Sequence, residues 1–225
     1  MKVFLATYLD CQLKVDHTVE LIEKLNSMST VSGVCCGIVS ANEESWNLDY
    51  TNCDFIYVNE NGYDFGTWKK LILDISVCED ILLVNSSIRI TDSELLENTI
   101  RSFGDNIGFI ASSKELCEHV QSYISFWPKR YFNVCYDFFA TYRASSNRML
   151  TIFSGELGLY HYLVGLDIEP IVIYPSNKRR VIRFLNFLVN IGFKENLIGL
   201  FRWNTINPIR YDAKYFRKYY GISKK

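Results

Sequence analysis

Four prolines and 12 glycines in 225 residues leave little material for linkers, and no internal repeat is present. Paired cysteines at metal-binding or redox spacing are absent too. The seven cysteines are an odd number with no C-x-x-C pair, which speaks against a zinc site or a disulfide framework. Free thiols, mostly buried, in a reducing compartment are the expectation. No apolar run approaches the roughly 18 residues that span a bilayer. The opening MKVFLATYLD has too short an apolar stretch for a signal peptide, and Asp10 stands where a cleavage region would lie. A cytoplasmic chain is therefore expected, soluble or peripheral on the inner face of the cytoplasmic membrane.

The chain has 48% hydrophobic residues and 15% aromatic ones, which is rich for a globular protein and incompatible with disorder. Net charge is −1, but it is unevenly placed. From Pro170 onward there are 12 Lys and Arg against Glu195 and Asp212, whereas the first 169 residues carry 12 basic and 23 acidic side chains. Such a split fits a C-terminal part facing an anion (a phospholipid surface, a lipid-linked pyrophosphate or nucleic acid) or charge complementarity between the two parts.

Strand and helix patterns alternate along most of the chain. Lys2–Tyr8, Val34–Val39, Asp54–Val58, Asp80–Val84, Asn106–Ala111 and Glu169–Tyr174 read as strands. Helices are predicted over His17–Met28 with Asp16 as cap, from about Phe65 to Val77 with Asp64 as cap, and from Thr91 or Asp92 to Phe103. Others are predicted over Lys114–Phe126, from Ser154 to Val164, and over Lys178–Asn190. Tyr131–Tyr142 reads equally as strand or short helix. Ser40–Asn52 reads as a polar loop with Trp46 and Leu48 packing locally. This alternation predicts an α/β fold with a mostly parallel central sheet flanked by helices. Residues 1–175 form the α/β domain, and 176–225 a basic amphipathic extension packed on it.

The stretch from Cys53 to Asn85 organises the reading: a strand, a turn at Asn61-Gly62, a helix, and a strand ending in Asn85-Ser86-Ser87. Open α/β sheets bind ligands at the carboxyl edge, where these polar groups fall. The plain alternative is a turn, a cap and a polar loop without a ligand. Lys69, early in the helix, could reach a phosphate or lie solvated. No P-loop or Ser/His/Asp motif is present.

NENGYDFGTWKKLI followed by DILLVNSSIRI resembles the hallmark pair of the rhamnan-synthesis F-like family of bacterial polysaccharide glycosyltransferases. EHVQSYISFW resembles that family's H-x-Q-S-Y helix, and GELGLYHYLVG its Glu-containing helix. These matches run in order from Cys53 to Gly165. The resemblance implies a Rossmann-like A-type glycosyltransferase fold and transfer of a sugar from a nucleotide-sugar donor, by analogy dTDP-rhamnose, to a glycan or lipid-linked glycan. It places Asn61, Gly62, Asp64 and Gly66 around the donor, with Lys69, Asn85, Ser86 and Ser87 beside them. His119, Gln121 and Tyr123 become acceptor-side candidates, and Glu156 the base that an inverting transfer needs. Such enzymes usually hold Mg²⁺ or Mn²⁺ on a carboxylate at the strand tip. Here Ser86 stands where the family has its acidic residue. That departure keeps a second reading open: a non-catalytic relative that binds nucleotide or glycan within a polysaccharide assembly complex. Nucleic-acid binding through the basic end ranks below both, because no recognised motif accompanies it.

Overall fold

The computed structural model describes residues 1–40, 53–58, 62–113, 119–175 and 222–224. Asn61, the Ser40–Asn52 loop beyond its first residue, and the Lys178–Asn190 helix expectation lie outside the described residues. So does the 176–225 extension, apart from its strand at 222–224.

Among the described residues up to 175 there are nine strands and six helices: β1 (Lys2–Leu9), α1 (Gln12–Asn26), β2 (Gly33–Ser40), β3 (Cys53–Tyr57), α2 (Tyr63–Asp74), β4 (Ile81–Asn85), β5 (Ile88–Ile90), α3 (Ser93–Arg101), β6 (Gly108–Ser113), β7 (His119–Val120), β8 (Ile124–Trp127), α4 (Phe132–Thr141), α5 (Arg148–Thr151), α6 (Gly158–Gly165) and β9 (Ile171–Pro175). A six-residue π-helical turn, Ile152–Leu157, joins α5 to α6.

The main sheet runs β3-β2-β1-β4-β8-β6-β7, with β9 also paired to β6. β1, β2, β3 and β4 are mutually parallel. β8 runs against both β4 and β6, so β6 and its parallel neighbour β9 point the same way as β4. The expected α/β sandwich with a mostly parallel sheet is what the chain forms. Near the end of the chain, β10 (Ile222–Lys224) pairs antiparallel with β5.

Side-chain alternation splits the core between the two faces of the sheet. On one face Val3, Leu5, Leu82 and Val84 pack with Leu21 and Leu25 of α1 and Leu96 of α3. On the other, Phe4, Ala6, Ile81 and Leu83 pack with Phe65 and Trp68 of α2 and Phe139 of α4. Phe65 stacks on Phe139 with ring centroids 6.0 Å apart and meets Trp68 edge-on at 5.4 Å. Each such buried ring contributes on the order of 2–3 kcal/mol from area alone. Trp68 also donates its indole N–H to the backbone oxygens of Phe4 (3.2 Å) and Val84 (3.3 Å), locking α2 across β1 and β4.

Several expectations are corrected. Lys114–Phe126 is not a helix where it is described. His119–Val120 and Ile124–Trp127 are strands whose Ile124, Phe126 and Trp127 fill both faces of the sheet. A buried strand with core on both sides loses its period-2 pattern, so its apolar residues imitate a helix. Tyr131–Tyr142 resolves as helix, preceded by a short 3₁₀ turn at Lys129–Tyr131. Asp16 lies inside α1, which starts four residues earlier at Gln12 behind Cys11. Asp92, by contrast, caps α3 as expected, accepting from the Leu95 N–H at 2.9 Å.

Candidate functional site

Six of the eight main-sheet strands share a direction, so their carboxyl ends gather at one edge. There β4 ends at Asn85, β6 at Ser113, and α2 begins just past β3. β7 and β8 run the opposite way, so the link between them, Gln121-Ser122-Tyr123, is delivered to the same edge. Asn85 follows Ile81 and Leu83 in alternation and projects on the α2 face.

Asn85 is the hub. Its side-chain N–H group donates to the Asp64 carboxylate at 3.0 Å and to the Ser122 carbonyl at 3.0 Å. Its side-chain oxygen accepts from the Ser87 backbone N–H at 3.1 Å and from the Ser87 hydroxyl. Its backbone N–H donates to the Tyr123 carbonyl. Ser122 continues the network, donating its N–H (3.1 Å) and hydroxyl (2.8 Å) to one oxygen of Glu156. The other Glu156 oxygen faces the His119 Nε2 at 3.7 Å. Asp64, Asn85, Ser122, Glu156 and His119 therefore form one continuous polar cluster drawn from four separate segments.

The electrostatics of this cluster are strained. Asp64 is pushed up to about 7, first by desolvation and then by the nearby Glu156 charge, against the opposing hydrogen bond from Asn85. Asp64 does not cap α2. The helix starts at Tyr63 behind Gly62, with no side-chain cap bond. This frees the carboxylate to face the strand tip. Gly62 is needed for close approach: a Cβ there would sit 2.8 Å from the Ala144 Cβ and 2.9 Å from the Gly66 Cα. Tyr63 carries a left-handed φ of 51°, which is costly for an aromatic residue, and its hydroxyl donates to the Ser146 carbonyl at 3.3 Å. Glu156 is likewise held by unusual backbone. It lies in the π-helical turn rather than in the first turn of an α-helix, and such turns collect at functional positions. Gly155 beside it lets the turn settle on Phe65, whose ring would be 2.7 Å from a Cβ at that position.

The remaining candidates sort by what they touch. Gly66 is buried in the first turn of α2, and its N–H donates to the Gly62 carbonyl. Lys69 neither reaches the strand tip nor lies solvated. Its ammonium donates to the Tyr142 carbonyl at 2.8 Å, at the C-terminal end of α4 where the helix dipole favours a cation. Ser86 contributes its backbone, N–H to Ala6 and carbonyl to His17. Gln121 bonds through its N–H to Ala111. The Tyr123 ring packs against the apolar core on the α1 and α3 face, opposite Asn85, while its carbonyl serves the site. Ser122 and His17 were not singled out from sequence. Ser122 belongs to the H-x-Q-S-Y motif, but its link to Glu156, like the reach of His17 to the strand tip, becomes visible only once the strands are paired.

A divalent cation needs several oxygens to itself, carboxylates first. The Asn85-Ser86-Ser87 triplet brings no carboxylate of its own, its amide oxygen is already taken by two donors, and the Asp64 carboxylate that faces it accepts from Asn85 and is pushed up to about 7. The tip does not fit Mg²⁺ or Mn²⁺. Among the described residues no group of three or more His, Cys, Asp and Glu side chains gathers as a metal site.

No protein-family model and no curated protein matches the chain. Solved structures do. A 4-diphosphocytidyl-2C-methyl-D-erythritol synthase from Anaerococcus prevotii superposes with a TM-score of 0.53 at 12% identity, covering 84% of this chain and 96% of that one. A second enzyme of the same name gives 0.50 at 10% identity, over 79% and 91%. CMP:2-keto-3-deoxy-manno-octonic acid synthetase, solved with CTP, gives 0.50 at 7%, over 78% and 91%. At these identities the likeness is one of fold, and the chain has the Rossmann-like α/β fold of these enzymes.

Proposed function

We propose that the chain is a glycosyltransferase of bacterial cell-surface polysaccharide synthesis, taking a sugar from a nucleotide-sugar donor to a glycan or lipid-linked glycan. The observation that carries this reading is the closure of the polar cluster. Asp64, Asn85, His119 and Glu156 come from the four segments that resemble the rhamnan-synthesis F-like family, and Ser122 links them at the sheet edge where α/β folds bind ligands. One fold relative was solved with CTP, which supports a nucleotide ligand for a chain of this fold. The turn between β1 and α1 consists of Asp10 and Cys11 alone, with no glycine. It lacks the glycine-rich backbone that typically cradles a phosphate chain, so a diphosphate at this edge needs a side-chain cation.

In this reading Asp64 and the α2 start contact the donor, and Glu156 takes the proton of the acceptor hydroxyl. The acceptor oxygen then bonds to the sugar anomeric carbon as the bond to the diphosphate breaks. The nucleoside diphosphate leaves with the electron pair, and the proton rests on Glu156. Ser122 holds one Glu156 oxygen with two donors and so fixes the direction of the other. The test is release of nucleoside diphosphate from UDP-, GDP- and dTDP-sugars, with and without Mn²⁺, in the presence of glycan acceptors. Glu156→Gln should lower turnover by about 100-fold or more, in the range of a lost general base. No turnover and no thermal shift with any nucleotide would defeat the proposal.

The carboxylate-free strand tip favours one other reading, a non-catalytic subunit that binds the nucleotide or glycan. It requires binding without transfer, and biological activity that survives Glu156→Gln.

A further inference from the structure

A nucleoside diphosphate brings negative charge to a site that already holds Asp64 and Glu156 and whose strand tip is neutral. Some cation must offset it. Lys69 is committed to the Tyr142 carbonyl. Among the described residues, a second cation stands at the same edge. The Lys14 ammonium lies 2.7 Å from an Asp10 carboxylate oxygen and 4.7 Å from the centroid of the Tyr8 ring. Tyr8 continues the Phe4, Ala6 alternation of β1, which places its ring on the α2 face, the face of Asn85 and Asp64. Within β1, Ala6 is the register partner of Asn85, so Tyr8 stands two residues further out, at the mouth of the site.

The backbone under Lys14 is fixed to that strand tip. Thr18 donates to the Lys14 carbonyl at 2.8 Å and shares a hydrogen bond with Thr7 of β1. Three residues along the helix, the buried His17 donates from Nε2 to the carbonyls of Ser86 (3.1 Å) and Ile88 (2.8 Å). The proton must sit on Nε2, because both partners are carbonyl oxygens. Lys14 therefore precedes, by less than a helical turn, a residue that grips the Ser86 backbone. Its side chain and that of Asp10 are 35% and 37% exposed, so their ion pair is weak and open to exchange for a stronger anion.

We propose that Lys14, held by the Tyr8 ring and parked on Asp10, is the cation that receives the donor diphosphate, in place of a metal ion at the strand tip. The proposal rests on the nucleotide-sugar reading above. Binding of UDP, GDP, CDP and dTDP to the full chain, measured calorimetrically in EDTA, tests it. The wild-type chain should bind one of them without metal. Lys14→Met should weaken that diphosphate about tenfold or more, the value of a lost charged hydrogen bond, and leave the matching nucleoside nearly unchanged. Lys14→Arg should restore most of the loss. Asp10→Asn should tighten binding by removing the competing anion, and Tyr8→Leu should weaken it where Tyr8→Phe does not. Retained diphosphate affinity in both Lys14→Met and Lys14→Gln, beside loss in Asp64→Asn, overturns this assignment alone. Binding that appears only with Mg²⁺ or Mn²⁺ also overturns it. A wild-type chain that binds no diphosphate under any condition overturns the nucleotide reading with it.

Discussion

Replacing Asp64 by asparagine should make the protein more stable and less functional at once. The native carboxyl is raised from 3.8 to about 7 by desolvation and by Glu156. Between those two values the folded chain holds a proton that the unfolded chain has released, so stability falls as pH rises. The contribution is fully present below the unfolded value and is gone once pH has passed the folded one. A shift of that size corresponds to about 4 kcal/mol at most, at 1.36 kcal/mol per pH unit. Asp64 is partly exposed, and solvent screening brings this down to about 2 kcal/mol. Asparagine has the same shape and still offers Asn85 an oxygen at 3.0 Å, but carries no charge to desolvate. Urea unfolding of both proteins from pH 4.5 to 8.5 measures the difference. The wild-type midpoint should decline through this window and the variant's should decline less. At pH 8 the variant should be ahead by about 2 kcal/mol, or about 4–8 °C in Tm for a chain of this size. Nucleotide binding should move the opposite way, the trade expected where a site is held at the cost of stability. Parallel pH curves for the two proteins would refute the argument.

Other perturbations probe the frame around the site. Glu97 accepts from the Ser29 hydroxyl (2.7 Å), the Ser29 and Thr30 backbone N–H groups (3.0 Å each) and Arg101 (2.8 Å), and these hold it down to about 2, the Ser29 hydroxyl foremost. That contribution is present above the ordinary carboxylate range and lost as pH falls through about 2, so Glu97→Gln should cost about 2 kcal/mol at pH 7 and flatten the acid limb of the stability profile. Gly155→Ala drives a methyl group to within 2.7 Å of the Phe65 ring and should destabilise by about 1–3 kcal/mol while lowering turnover, because Glu156 moves with the turn. Asn85→Leu leaves Asp64, Ser122 and Ser87 without their shared partner and should cost about 3 kcal/mol or more, read as a urea midpoint shift. Co-sedimentation of the full chain with anionic vesicles should exceed that with neutral ones and fall with salt, given the 12 basic residues after Pro170.

The fold was largely legible because each face of the sheet is apolar along its own strands and the helices between them are amphipathic. It failed where that pattern breaks down. β8 is buried on both faces, so Ile124, Phe126 and Trp127 carry no alternation to distinguish strand from helix. The π-helical turn around Glu156 was invisible for a different reason: its backbone depends on Gly155 packing against Phe65, a contact 90 residues away in sequence. Within the site, motif residues such as Asp64, Asn85 and Glu156 could be named from the chain, but their relations could not. Lys69 looked like a phosphate ligand because a lysine early in a helix near a glycine turn has two destinations, and only tertiary contact with Tyr142 selects one. Ser122 is the serine of the H-x-Q-S-Y motif, but nothing in the sequence marks it as the link between Asn85 and Glu156. It matters because two antiparallel strands deliver it to the edge that the parallel strands built.

The strand tip is where sequence and structure inform each other most. From sequence, Asn85-Ser86-Ser87 is a missing carboxylate. In the folded chain Asn85 is instead fully used: two donors, two acceptances and a backbone bond tie α2, β4, the β7–β8 link and its own turn together. An aspartate at position 85 could keep the Ser87 and backbone bonds but not the two side-chain donations. It would place a third carboxylate beside Asp64 and lose the N–H group that donates to both Asp64 and Ser122. With Asp64 already raised to about 7, that added charge would force protons onto the cluster or open it. An asparagine hub and a metal-binding carboxylate at this position are therefore alternative solutions. A chain that has adopted the first must bring its positive charge to the donor from elsewhere along the same edge, and the Lys14 ammonium is already there.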